Sequence, residues 1–115
     1  MKKADKNLLS GSTTLLVLSL LSAGDKYGYE MIAELEAKSD HTFTLKEGTL
    51  YPILHTLENT GSVESYEKEA PTGRKRKYYN ITKKGLRLLG EKKEEWTAFS
   101  QAVNAVLAGS APALA

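Results

Sequence analysis

Apolar residues fall in four stretches of different rhythm along the chain. Residues 12–22 are apolar almost all round, with Leu15, Leu16, Val17, Leu18, Leu20 and Leu21 in close succession. A helix apolar on every side sits inside a molecule rather than on its surface. Ser12 stands at its start as a cap, and Gly24 stops it. Gly24-Asp25-Lys26 reads as a turn. From Tyr27, the spacing of Tyr29, Ile32, Ala33 and Leu35 or Glu36 predicts a second helix, with Glu30, Glu34 and Lys38 facing out. Thr44-Leu45-Lys46-Glu47 has the form of a capping box opening a third helix. Leu50, Ile53, Leu54 and Leu57 then follow the i, i+3, i+4, i+7 rule up to Gly61. Pro52 requires that this helix begin late or bend, since an interior proline removes a backbone hydrogen bond.

The rhythm changes after Gly61. Val63–Glu69 and Arg74–Ile81 flank the turn cluster Ala70-Pro71-Thr72-Gly73, which predicts a β-hairpin. Thr82 caps a last helix. In it Leu89, Trp96 and Val103 are seven apart, and Phe99 and Val106 fall three residues after two of them. That is the seam of a paired helix, interrupted by Lys92. Residues 109–115 are small, apolar and without period, as in a flexible tail.

The 115 residues include 16 Lys and Arg against 14 Asp and Glu, a net charge of only +2. Taken whole, that number argues against a nucleic-acid partner. Its distribution argues the reverse. Eight basic residues lie between Lys68 and Arg87, opposed only by Glu69, a local balance of +7. Arg74-Lys75-Arg76-Lys77 follows the hairpin tip directly. One or two lysines would suffice to keep an edge strand soluble. Four consecutive cations beside a tip instead favour phosphate contact.

Helix, helix, capped helix and basic hairpin is the order of a winged helix-turn-helix. The expected fold is therefore mainly α (α+β), with a two-stranded β-wing and a C-terminal dimerisation helix. Residues 1–82 would form the DNA-binding domain, and residues 83–108 the dimerisation helix. In such a module the third helix enters the major groove of double-stranded DNA. Its face opposite the leucine stripe offers Lys46, Thr49, Tyr51, His55 and Thr56, and the wing offers Gly73, Arg74, Lys75, Arg76 and Lys77. Each helix residue also has an ordinary alternative. Thr49 suits a local cap, Tyr51 half-buried packing, and His55 plain surface.

Other chemistries find little support. There is no cysteine, glycine-rich phosphate loop, Ser-His-acid arrangement or metal-ligand spacing, so neither an enzyme nor a metal or other cofactor is expected. The apolar run near the N-terminus is too short to span a bilayer. Met1-Lys2-Lys3 ahead of it has the look of a secretory leader, but Asp5 and Ser12-Thr13-Thr14 break that pattern, and the helix is needed for a core. A cytoplasmic location is expected. The alternative of a winged-helix interaction module without DNA binding is opposed by the intact Arg74–Lys77 run.

Three blocks of the sequence carry a resemblance: Tyr27-Gly28-Tyr29-Glu30-Met31-Ile32, Glu47-Gly48-Thr49-Leu50-Tyr51-Pro52-Ile53-Leu54-His55-Thr56-Leu57-Glu58, and Arg76-Lys77-Tyr78-Tyr79-Asn80-Ile81-Thr82-Lys83-Lys84-Gly85. From about Leu8 to Val106 the chain resembles the PadR family of bacterial transcriptional regulators. The resemblance implies a homodimeric winged-helix repressor, released from a pseudo-palindromic operator by a ligand or stress signal. It also implies that Pro52 is tolerated in the recognition helix. Thr49, Tyr51, Gly73, Arg74 and Arg76 match positions where family members approach DNA. The single short C-terminal helix is similar to a compact subgroup that includes regulators of multidrug transporters. Some of these bind planar aromatic molecules between paired tryptophans, and Trp96 lies in the matching part of the last helix. A ligand site of Trp96 and Phe99, with Leu15 and Leu18 from the first helix, is expected on that ground. A dimer seam of Leu89, Trp96, Phe99, Val103 and Val106 is the companion expectation, in which Trp96 is interface core.

Overall fold

The computed structural model describes residues 11–109. The expected tail at 109–115 lies outside them beyond its first residue. The first helix, α1 (Thr13–Ser22), is the centre of the molecule: Val17, Leu18, Leu20 and Leu21 are all buried. It packs against the second helix, the sheet and the last helix, which is why it is apolar on every side. Ser12 stands at the N-cap position, but its hydroxyl makes no capping bond.

Lys26–Tyr27 form a short strand, β1, where Lys26 was expected to end a turn and Tyr27 to open the helix, and helix α2 (Gly28–Lys38) follows at once. The backbone N–H of Tyr27 donates to Glu30 Oε1 at 3.0 Å, so Glu30 closes the helix start rather than facing idly outward. Glu34 bridges Lys26 at 3.0 Å and Lys38 at 2.9 Å. The inward face carries Gly28, Met31 and Leu35, while Tyr29 is 66% exposed. The helix is thus rotated from the expected phase, because Gly28 rather than Tyr29 lies beneath the third helix.

That third helix, α3 (Glu47–Asn59), runs unbroken through Pro52. The bond that Pro52 cannot make would have gone to the carbonyl of Gly48, an exposed residue. Leu50, Leu54 and Leu57 are buried and Ile53 packs beside them, as the spacing predicts. The Thr44–Glu47 capping box is not formed. Leu45 plunges into the core, the helix begins two residues later than the box requires, and Lys46 takes the N-cap position with no side-chain bond. Thr44 Oγ1 is left buried without a hydrogen-bond partner among the described residues.

The hairpin consists of β2 (Val63–Glu69) and β3 (Lys75–Ile81). Its tip is closed by Gly73 N–H to the Ala70 carbonyl at 2.8 Å and Ala70 N–H to the Arg74 carbonyl at 2.7 Å. The second bond assigns Arg74 to the turn. With β1 the sheet has three antiparallel strands in the order β1-β3-β2, with Lys26 opposite Tyr79 and Tyr27 opposite Tyr78. The expected two-stranded wing therefore carries an added edge strand.

Helix α4 (Lys83–Gly109) starts as predicted, with Thr82 Oγ1 accepting the Gly85 N–H at 3.1 Å. Only its first turns are covered. Leu89 is 5% exposed and belongs to the core, whereas Trp96, Phe99, Val106 and Leu107 stand open. The helix projects from the body, giving overall extents of 64 × 31 × 21 Å.

Candidate nucleic-acid interface

Burial divides α3 cleanly. Its leucine stripe faces the core, and Lys46, Thr49, Tyr51 and His55 are exposed on the other side, with Tyr51 43% open. Tyr51 also has a packing partner. A Cβ on Gly28 would collide with its hydroxyl and lie 2.7 Å from ring carbon Cζ, so only a glycine lets the ring rest on the start of α2. Tyr51 therefore packs on the start of α2 and still keeps part of its ring exposed. Burial pushes the Tyr51 hydroxyl pKa up, with Glu47 adding to the shift and Lys77 of the wing opposing it.

The alternation of β3 distributes the wing cations. Arg76 turns to the outer face of the sheet, where its guanidinium carbon lies 4.5 Å from the centre of the Tyr27 ring. Lys68 sits 5.5 Å over Tyr78 on the same face. Tyr66 stacks on Tyr78 at 5.7 Å, and Tyr27 meets Tyr78 edge-on at 5.4 Å. Lys77 turns to the inner face, 5.6 Å over Tyr79 and 3.9 Å from Glu58 of α3. Glu58 also accepts the Ser65 hydroxyl at 2.6 Å. Gly73, Arg74 and Lys75 remain at the exposed tip, where Arg74 and Lys75 make no ion pair among the described residues. Arg76, expected to reach DNA, is half-buried with its guanidinium over Tyr27.

Asp25 completes the outer face. Its two oxygens accept the Tyr66 hydroxyl at 2.7 Å and the Asn80 amide at 2.9 Å. Those bonds, Asn80 first, hold its carboxyl below the usual range, and Lys68 helps. The same contact raises the Tyr66 hydroxyl pKa. None of Asp25, Tyr27, Tyr66, Tyr78 or Asn80 was singled out as a site residue from sequence. The available signal was the spacing of two that pairs Tyr66 with Lys68 and Arg76 with Tyr78.

On α4, Trp96 and Phe99 are brought together, ring centres 6.2 Å apart, with Trp96 50% and Phe99 62% exposed. Val103 and Val106 continue that open face. Leu15 packs at the edge of the core. Leu18 has no exposed surface, so it cannot line a ligand site in this arrangement, and Leu89 is likewise enclosed by its own chain. Among the described residues no group of three or more His, Asp or Glu could hold a metal ion, and no helix is long and apolar enough to cross a membrane.

A helix with a polar outer face, set against a basic three-stranded wing, defines a winged-helix DNA-binding protein. Comparison with known proteins agrees and is more specific. Residues 17–91 match the transcriptional regulator PadR-like family. A transcriptional regulator from Clostridium thermocellum superposes with a TM-score of 0.80 at 35% identity, over 87% of this chain and 97% of its own. A PadR-like transcriptional regulator from Bacillus cereus gives a TM-score of 0.76 at 37% identity, over 89% and 97%. The transcriptional regulator YqjI of Escherichia coli is 28% identical over 88% of this chain, which spans about half (47%) of that relative's length. The chain belongs to the PadR-like family of transcriptional regulators. It is a DNA-binding regulator of transcription, not an enzyme.

Proposed function

We propose that the protein is a dimeric, sequence-specific repressor that leaves its operator when a planar aromatic ligand or a stress signal reaches the dimer. The observation that supports this reading best is the split of α3 into a buried stripe and an exposed polar face beside the wing tip. Lys46 and Thr49 stand at the N-terminal end of α3, the end usually presented to base edges. Tyr51 and His55 follow on the same side. Arg74 and Lys75 at the tip supply phosphate contacts, which strengthen binding to every sequence and weaken with salt.

The open face of α4 supports the dimer. Trp96, Phe99 and Val103 form an exposed apolar stripe, and a second copy of the helix would cover it. Two recognition helices then meet half-sites about 34 Å apart on one side of the duplex. A planar molecule between the Trp96 rings would change the separation of those helices and favour a state that does not fit DNA. An apolar groove of about 410 Å3, lined by residues that include Thr14, Pro52, Ile53, Thr56, Leu88 and Lys92, lies between α3 and α4.

The test is an electrophoretic shift on the duplex immediately upstream of the protein's own gene, competed by a shuffled duplex of equal length. A shift that survives the shuffled competitor is expected, and equal competition would refute sequence-specific binding. Ligand release is read separately, by Trp96 fluorescence and loss of the shift on adding planar aromatic dyes. Flat fluorescence across such dyes, with DNA binding intact, would refute the ligand site.

A further inference from the structure

We propose that Asp25 is a positioning residue for DNA binding, bracing the wing against the start of α2 so that tip and recognition helix present one surface. This rests on the DNA-binding reading above. A two-stranded hairpin is marginal on its own, and β1 adds only two residues to it. Val63, Tyr79 and Ile81 anchor the base of the hairpin in the core, and the bonds of Asp25 tie it from outside that core. Asp25 stands immediately before β1 and reaches both wing strands, taking Tyr66 of β2 at 2.7 Å and Asn80 of β3 at 2.9 Å. Three residues on, Gly28 lies beneath Tyr51 of α3. Residues 25–28 thus form a short strut, with the wing at one end and the recognition helix at the other.

The surroundings stiffen this strut. Arg76 on Tyr27 and the stacked Tyr66 and Tyr78 occupy the same outer face. On the inner face Glu58 of α3 takes the Ser65 hydroxyl at 2.6 Å. The wing is therefore held on both faces by a carboxylate from outside the hairpin, and both are bonded to hydroxyls on β2. Arg76 lies on Tyr27 of the strut, and Arg74 and Lys75 are exposed at the tip.

The sign of the effect separates positioning from plain electrostatics. Asp25 is an exposed acid close to Lys68, so its charge alone repels DNA. Removing it should tighten binding if charge is all that matters, and loosen binding if the bonds hold the wing.

The experiment measures binding of the full chain to the upstream duplex for wild type, Asp25→Ala, Tyr66→Phe and the double variant, across a salt series, with thermal unfolding of each. Asp25→Ala is expected to weaken binding about tenfold with the salt slope unchanged, because the tip cations remain. Tyr66→Phe alters no charge and is expected to weaken binding about threefold while melting close to wild type. The double variant should be no weaker than Asp25→Ala, since the hydroxyl acts through the carboxylate. Binding by Asp25→Ala equal to or tighter than wild type would overturn the proposal, as would losses that simply multiply. If Asp25→Ala fails to fold, Tyr66→Phe decides: weaker binding upholds the brace and unchanged binding removes it. Wild type that binds no DNA refutes the DNA-binding reading itself and the brace with it, a result distinct from a variant that binds as wild type does.

Discussion

Replacing Phe99 by alanine should separate the proposed dimer without disturbing the fold of the protomer. Phe99 is 62% exposed and lies beside Trp96, itself 50% exposed, and among the described residues neither is part of the buried core cluster. An aromatic side chain presents on the order of 200 Å2, so the open part of Phe99 is on the order of 120 Å2. At about 25 cal/mol per Å2, covering it would contribute about 3 kcal/mol from each protomer. Two-fold symmetry makes every substitution count twice, for about 6 kcal/mol in all. Cover in a helix pair is incomplete, so the realised loss is smaller. If half is realised, about 3 kcal/mol, the dimer dissociation constant rises about a hundredfold. Alanine favours helix, so α4 should keep its helicity. Sedimentation equilibrium over a range of protein concentrations reads the shift directly, with circular dichroism as the check on the helix. A Phe99→Ala protein whose mass and concentration dependence match wild type would refute this interface, as would a wild type that stays monomeric throughout.

Three further outcomes follow from other parts of the structure. Arg74→Ala should weaken binding to all duplexes and lower the slope of log K against log salt by about one unit, whereas Arg76→Ala should lower it much less because its guanidinium lies on Tyr27; equal slopes for the two variants would contradict this. Gly85→Ala should destabilise by about 1–3 kcal/mol in denaturant unfolding, because the new Cβ meets the fixed backbone carbonyl of Ser62, while Gly28→Ala should cost less, because it meets the movable end of Tyr51. The Asp25 carboxyl titrates lower when folded than when unfolded, so its contribution is fully present above its unfolded value of about 3.9 and is lost as pH falls through the folded value. An NMR titration should show the wing tyrosines shifting in that acid range, and Asp25→Asn should remove the transition.

Features specified by neighbours in the chain were legible from sequence. The leucine stripe of α3, the Thr82 cap and the Ala70–Gly73 turn each depend on residues within one or two turns of each other. β1 was not legible. Lys26 and Tyr27 become a strand only by pairing with Tyr79 and Tyr78, some fifty residues away. The Thr44–Glu47 box failed for a related reason. Its residue types suit a helix start, but burying Leu45 offsets the lost cap, and that competition is tertiary. In α2 the spacing pointed to a stripe through Tyr29, but a residue without a side chain is needed under Tyr51, and the buried face runs through Gly28, Met31 and Leu35.

The same distinction bears on which residues act. Four consecutive cations after the tip look equivalent in sequence. The pleat makes them different, placing Arg76 among tyrosines, Lys77 against α3, and Arg74 and Lys75 in the open. Likewise the heptad from Leu89 to Val106 is one continuous face in sequence, yet it is divided at about Lys92. Leu89 belongs to the core of its own protomer, whereas Trp96, Phe99 and Val103 are exposed. Periodicity identifies residues that share a face, but not the body that covers it. In α4 one face serves two bodies, its own core and, in the proposed dimer, a second copy. In the proposed dimer a movement of the outer half would be transmitted to the inner half through an unbroken helix. That arrangement requires no hinge between the proposed ligand site and the DNA-binding domain, only that α4 remain rigid across Lys92.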